Sequence, residues 1–441
     1  MDTTLQEKQA GSLESDAPDT QNKAPTSVDR KGDNAPMDKL IADAKQVVGN
    51  GFVENLASKG MDWVESGRQG SVVHDSNGNK FIDCYCSSGT YNLGRKNPAI
   101  ARELKQAINE TDQGNFVMIS REKAMLSERL ARFTPSGLDC FLFTVVRGEA
   151  VDAACKLARG YTERYQLITV NGGCYGQTVF AMTLSERADK KDFGSLIPDV
   201  QTIPFNDIDA AGRSITRNTA AVILEPVQTE NNCRTADKDY LVALRTFCDQ
   251  TGALLIFDES QTGFGRTGEK FASDYFGVLP DIMLLGEALG GGMFPFGAMV
   301  FTSSVKTFFD AHPLIHLMTF GGHDVGCRVA AAALTEYDQI QPWQNAKKQG
   351  NILKKWLQEL VDANPELKSV QGIGLMLSLE FESAEAADRF CRSAIQQGVL
   401  VKTGEIAKHS VIIRPPLTIN DQDLDKIVTG IEKALGSGGA H

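Results

Sequence analysis

Two stretches of the chain carry residue types whose spacing could do chemistry. Residues 254–257, Leu-Leu-Ile-Phe, read as a buried strand that delivers Asp258-Glu259-Ser260-Gln261-Thr262-Gly263-Phe264-Gly265-Arg266-Thr267-Gly268. A charged, glycine-rich loop at the carboxyl end of a strand is where α/β sheets hold ligands. Taken alone, Asp258 reads as a cap on the turn that follows the strand; only within the longer run does it read as a ligand. The second stretch is Cys84-Tyr-Cys86, a C-x-C read as part of an apolar strand with both side chains on one face. Two thiolates fall short of a zinc site, and no second paired-cysteine cluster accompanies them, so no metal is expected.

The elements that must position such a loop are legible as short apolar runs at 141–146, 167–170, 220–224, 254–257 and 282–285. Amphipathic, helix-length segments at 100–108, 122–133 and 149–165 precede or separate them. Strands without a polar face, spaced by helices, are what a parallel sheet covered on both sides produces. Before this region, Asp75-Ser-Asn-Gly-Asn79 reads as a turn joining strands at 71–74 and 80–84. After it, helices at 327–336, 343–363, 384–397 and 421–435 alternate with extended runs at 370–382, 399–402 and 411–414. The expected fold class is α/β: a large domain with a mostly parallel sheet covered by helices, plus a smaller α+β domain built from both ends of the chain. The boundaries read as a tail at 1–36, an N-terminal part of the small domain at 37–95, the large domain at 96–325, and the rest of the small domain at 326–441.

Composition narrows the partners. The 441 residues carry a net charge of −11 with 42% hydrophobic residues, and no basic stripe or long apolar run is visible. Nucleic acid and membrane are therefore not expected as partners. The nine cysteines, an odd number, read as reduced thiols, which together with the lack of an apolar leader gives a cytoplasmic protein. The first 36 residues are polar, acidic and almost free of aliphatics, the composition of a disordered tail.

The run from Asp258 to Gly268 resembles the D-E-V-Q-T-G-F-G-R-T-G signature of class III, fold type I aminotransferases, which depend on pyridoxal phosphate. The likeness extends over roughly residues 50–435, through Asn79 to Asp83, Asn92-Leu-Gly94, Leu224-Glu-Pro-Val-Gln228, Thr319-Phe-Gly-Gly322 and Ile413-Arg-Pro-Pro-Leu417. The resemblance implies that Asp258 pairs with the pyridine nitrogen and Gln261 contacts the ring's phenolic oxygen. It implies that Thr319 reaches the phosphate of a neighbouring subunit, that Arg414 grips a substrate carboxylate, and that Glu225 lies on the substrate side.

Three departures fall on the cofactor site of that family. Glu287, in Pro280-Asp-Ile-Met-Leu-Leu-Gly-Glu287-Ala-Leu-Gly-Gly-Gly, stands where the family carries the lysine that forms the Schiff base. Val146, Arg147 and Gly148 fall where Ser, Gly and Thr open the phosphate-binding helix. Cys174 replaces the stacking aromatic, with Tyr175 placed to shift into its role. A pocket holding Asp258 and Glu287 disfavours a phosphate ester, and Arg147 supplies the missing cation. Arg147 is therefore expected either to enter the site and pair with Glu287 or Asp258, or to point outward or grip a phosphate. The expected function is that of an aminotransferase homologue, not a conventional transaminase, acting as a non-catalytic partner, regulator or small-molecule binder. Covalent attachment of pyridoxal phosphate at residue 287 is not expected, and any binding would involve Arg147, Gly148, Tyr175, Asp258, Gln261 and Thr319. The alternative is a lysine-independent enzyme using pyridoxal or pyridoxamine phosphate, with Glu287 or Tyr175 as acid/base. Partners are expected to be a second copy of the chain or an active paralogue.

Overall fold

The computed structural model describes residues 37–115 and 117–436; the tail read at residues 1–36 lies outside the described residues. After two helices, Met37–Val48 and Asn50–Ser58, come three strands, β1 (Glu65–Gln69), β2 (Val72–Asp75) and β3 (Lys80–Asp83). β2 and β3 form the expected hairpin, and β1 adds an antiparallel neighbour. Asp75 organises the turn: its Oδ1 accepts from the amides of Asn77 and Asn79 at 2.9 and 2.8 Å.

The large sheet is built from β4 (Cys140–Thr144), β5 (Gln166–Val170), β6 (Val200–Ile203) and β7 (Thr219–Leu224), followed after a short ribbon of β8 (Val227–Gln228) and β9 (Arg234–Thr235) by β10 (Leu254–Asp258), β11 (Ile282–Leu285) and β12 (Gly297–Phe301). Its order is β4-β12-β11-β10-β7-β5-β6. Every pairing is parallel except those of β12, which runs antiparallel to both β11 and β4. Because β12 is antiparallel to both neighbours, β4 points the same way as β11, and the carboxyl ends of six strands meet on one edge. β7, β10 and β11 are buried along their whole length. Their unbroken aliphatic runs reflect a sheet covered on both faces. The helix Arg147–Thr162 covers one face through Ala150, Val151, Ala154 and Leu157, and the helix Lys238–Thr251 covers the other through Tyr240, Leu241 and Leu244.

The second core gathers β13 (Leu367–Ile373), β14 (Met376–Phe381), β15 (Val399–Leu400), β16 (Lys402–Thr403) and β17 (Ser410–Ile413) with the helices Pro342–Ala363, Ala384–Gln396 and Asp421–Gly436. The run at 370–382 is a hairpin, turned at Gly374 with φ 57°, where the sequence suggested continuous extension. The run at 399–402 is shared between two sheets: β15 joins β3 in parallel, and β16 pairs with β17. Residues from both ends of the chain thus form one unit. The helix Asp324–Ile340 packs instead on the helices Pro98–Glu110 and Arg121–Phe133 and contributes Cys327, Val329, Ala330 and Leu334 to the core beside β11 and β12. The boundary read at residues 325 and 326 falls inside this helix. Cys84 and Cys86 do not share a strand: β3 ends at Asp83, and Cys86 opens a one-turn helix with φ 53°. Among the described residues no group of His, Cys, Asp or Glu could hold a metal, and no helix is long and apolar enough to cross a membrane.

Gly350 shows how tightly the units meet. It lies within the helix Pro342–Ala363, and a Cβ there would come 2.1 Å from the carbonyl oxygen of Gly374, itself packed against Arg266 and Gly268 of the strand-end loop. Alanine normally improves a helix by about 1 kcal/mol over glycine. Gly350→Ala should do the reverse and destabilise by about 1–3 kcal/mol, because backbone rather than a flexible side chain must yield; a urea melt measures the sign.

Candidate functional site

Five strand ends converge on one cluster of charge. Asp258 is the last residue of β10, Glu225 follows β7, Glu287 follows β11 by two residues, Arg147 follows β4 by three, and Cys174 lies in the turn after β5. Arg147 crosses the site. Its Nε and Nη2 donate to Asp258 Oδ2 at 2.8 and 2.7 Å, and Nη2 also donates to Glu225 Oε1 at 2.8 Å. Both carboxylates are buried, at 1% and 2% exposure. The remaining oxygens are engaged as well, Asp258 Oδ1 by the amide of Ser260 at 3.0 Å and Glu225 Oε2 by the amide of Cys174 at 2.9 Å.

Glu287 plays a different part. Its carboxylate accepts from the backbone amide of Arg147 at 3.1 Å, at the first residue of the helix Arg147–Thr162. Its cap residue is Val146, which has no side-chain oxygen to offer the free amides. Glu287 serves one amide and Glu149 serves that of Val145 at 2.7 Å, so a carboxylate sits where the helix dipole favours an anion. The sequence paired Arg147 with Glu287 or Asp258; its guanidinium lies on Asp258 and Glu225, and only its amide meets Glu287. Glu225, read as substrate-side, is a partner of this cluster.

One cation among three carboxylates perturbs titration. Burial would lower the Arg147 pKa, but Asp258 and Glu225 hold it well above its ordinary value, so the guanidinium stays charged. Burial, reinforced by Asp258, pushes Glu225 up to about 7 against the pull of Arg147.

A cavity of about 190 Å³ remains beside the cluster, with Arg147, Cys174, Ser260, Gln261 and Glu287 in its wall. Glu230 and Glu405 also reach it, and both are engaged by Lys402, whose Nζ lies 3.5 and 3.3 Å from their carboxylates. The Lys402 amine is tied down: burial would lower its pKa, but these carboxylates and Tyr85 raise it. The sequence did not point to Glu230, Glu405 or Ser260. Ser260 was detectable, since the signature carries valine at that position.

Several expected residues lie elsewhere. Tyr175 does not face the cavity: its ring is fully buried, Thr169 Oγ1 donates to its hydroxyl at 3.0 Å, and that hydroxyl donates to the carbonyl of Ile223 at 3.3 Å. Cys174 faces the cavity, and the next residue turns into the core, so Tyr175 can neither stack there nor exchange protons. Gly148 is buried against Thr178, where a Cβ would come within 2.9 Å of the threonine methyl. Arg414 is fully buried, with its guanidinium donating to Gln261 Oε1 and to the carbonyl of Tyr85, so it does not reach into the cavity. Thr319, expected to serve a neighbouring subunit rather than its own, is exposed on the loop before the helix Asp324–Ile340.

A mostly parallel seven-stranded sheet with one reversed strand, a helix N-terminus facing the strand-end aspartate, and a small domain drawn from both termini define the pyridoxal-phosphate-dependent transferases of fold type I. The chain belongs to the class III aminotransferases, matching the Aminotransferase class-III family over residues 57–435. It is 33% identical over 368 residues to an uncharacterized aminotransferase of Archaeoglobus fulgidus, covering 83% of this chain and 87% of that protein. It is 32% identical over 415 residues to the putrescine aminotransferase of Pectobacterium atrosepticum, covering 90% and 88%. The crystal structure of ornithine aminotransferase from Toxoplasma gondii matches with a TM-score of 0.85 at 26% identity, covering 92% of this chain and 96% of that one.

Two outcomes follow from the cluster. Arg147→Ala strands two buried carboxylates and should cost about 3–5 kcal/mol in a denaturant melt. Glu225 binds its proton more tightly folded than unfolded, so its contribution is full below about pH 4.5 and is lost as pH rises through about 7. The stability advantage of the native chain over Glu225→Gln, read as a difference in melting temperature, should therefore be largest in acid and smallest above neutrality.

Proposed function

We propose that this class III aminotransferase homologue does not carry out conventional transamination, because Glu287 stands where the family's Schiff-base lysine belongs and Arg147 fills the cofactor site. The observation that carries this reading is the pair of bonds from Arg147 Nε and Nη2 to Asp258. In the family that carboxylate receives the pyridine nitrogen; here a guanidinium holds it from within the chain. The helix N-terminus that would take the phosphate is met by Glu287. The wall that would stack on the ring offers Cys174 and Ser260. A cation on Asp258 and an anion on the helix reproduce the charges of the bound cofactor with protein atoms, and the residues present do not fit the cofactor.

On this reading the protein is a non-catalytic member of its family, acting as a partner, regulator or small-molecule binder in the cytoplasm. Dimerisation with a second copy or with an active paralogue is supported by Val117, Met118, Ile119, Leu314, Leu317 and Phe320, large apolar side chains left exposed on two loops of the large unit. The lysine-independent alternative retains one observation in its favour, a half-buried Glu287 carboxylate in the wall of a cavity. It loses Tyr175, whose hydroxyl is committed to Thr169 and Ile223 and whose pKa burial drives well above the ordinary value.

Calorimetry with pyridoxal phosphate, followed by visible absorbance and an assay for amine consumption, tests the proposal. The expected result is no saturable binding, no aldimine absorbance and no turnover. Tight binding with amine turnover would overturn it.

A further inference from the structure

The geometry points to a modification site far along the chain from Glu287. Asn77, at the tip of the hairpin between β2 and β3, loses its side-chain amide to attack by the backbone nitrogen of Gly78 and ends as a mixture of aspartate and isoaspartate.

The conversion consumes only water, and its atoms balance. The Gly78 nitrogen gives up its proton to base and attacks Cγ of Asn77. A C–N bond forms, the side-chain nitrogen leaves as ammonia, and a five-membered succinimide joins the two residues. Water then opens the ring. Attack at the former side-chain carbonyl gives aspartate; attack at the main-chain carbonyl leaves the chain running through the side chain, one methylene longer, as isoaspartate. Nothing is oxidised or reduced.

Three Asn-Gly pairs occur in the sequence, at 50–51, 77–78 and 171–172, and the structure separates them. Asn77 and Gly78 are both exposed, and among the described residues the Asn77 side chain makes no hydrogen bond. Gly78 has φ 84°, and no atom lies within 4 Å of where a Cβ would sit, so its nitrogen is unshielded. That nitrogen donates one long bond, 3.2 Å to the carbonyl of Asp75, in an exposed turn. Asn171 is the opposite case. Its Oδ1 accepts from the amide of Phe205 at 2.7 Å, the Gly172 amide donates to Glu186, and a Cβ on Gly172 would come 2.0 Å from the Asn231 side chain. Asn50 opens the helix Asn50–Ser58, whose first turn must unwind before its side chain and the next nitrogen can close a ring.

The hairpin is built to feel the change. Asp75, 3% exposed, gathers the amides of Asn77 and Asn79 and the side-chain amide of Asn79. A new carboxylate at residue 77 places like charge beside it. The added methylene lengthens a turn that closes on the pairing of His74 with Lys80. β3 in turn pairs with β15 and carries Asp83, which holds Arg95 at 2.8 Å. Conversion therefore loosens the unit formed by both ends of the chain.

The test ages the full chain for days in mildly alkaline buffer made with heavy-oxygen water, followed by peptide mapping by mass spectrometry. Residue 77 should become aspartate and isoaspartate, with isoaspartate in excess and one heavy oxygen in each product, at a rate that rises with hydroxide. It should outpace Asn171 about tenfold or more, since a buried pair must open locally before it reacts. Gly78→Asn, which tolerates a positive φ, should slow conversion several-fold by shielding the nitrogen. The melting temperature of the aged chain should fall, whereas Asn77→Gln, which keeps the backbone amide on Asp75 and closes the larger ring far more slowly, should age without that fall. An intact Asn77, an equal rate at Asn171 or Asn50, or aspartate formed without isoaspartate would overturn the inference. An equal fall in melting temperature for aged Asn77→Gln would overturn the loosening of the hairpin.

Discussion

The bond network from Arg147 to Asp258 and Glu225 is the constraint on which the rest of the site depends. Two carboxylates with almost no exposure sit at adjacent strand ends, and burying them without a counter-charge would be prohibitive. The sheet topology fixes them there: β7 and β10 are hydrogen-bonded neighbours, so the residue that ends one and the residue that follows the other are forced together. A cation must come from somewhere. β12 reverses direction and brings β4 back parallel to the others, which places the start of the helix Arg147–Thr162 on the same edge and lets Arg147 reach across.

That reach has a consequence for the helix itself. Valine at the cap position offers no oxygen, yet the first amide of the helix is not left bare, because Glu287 turns a carboxylate toward it, while Glu149 holds the amide of Val145 just ahead of the cap. Glu287 thus compensates for Val146, and Arg147 neutralises Asp258. Departures that look unrelated along the chain are paired in space. Changing one member alone leaves either a buried charge or an uncapped helix, and the set holds together for that reason.

Much of the fold was legible because buried parallel strands announce themselves: the runs at 141–146, 220–224, 254–257 and 282–285 each correspond to a strand of the large sheet. β6 and β12 were missed. Val200–Ile203 is short and edge-placed, and Gly297–Phe301 begins with glycine, which hides its extended character. The mixed direction of the sheet could not be read from periodicity, which is blind to strand polarity. In the site, Asp258 and Glu287 were identifiable from the motif and from their places after strands. The role of Glu225 was not, because its partner lies 78 residues away and pairs with it only once β4 and β7 share an edge. Tyr175 misled because one residue of register decides whether a side chain faces cavity or core, and the backbone of the turn, not its sequence, sets that register.

A guanidinium of the chain holds the carboxylate of Asp258. The most direct measurement is a crystal structure of the full chain grown in excess pyridoxal phosphate. The account predicts Arg147 within hydrogen-bonding distance of Asp258 and no ring density beside it. A pyridine nitrogen on Asp258, with Arg147 swung out toward solvent or onto the phosphate, would contradict it.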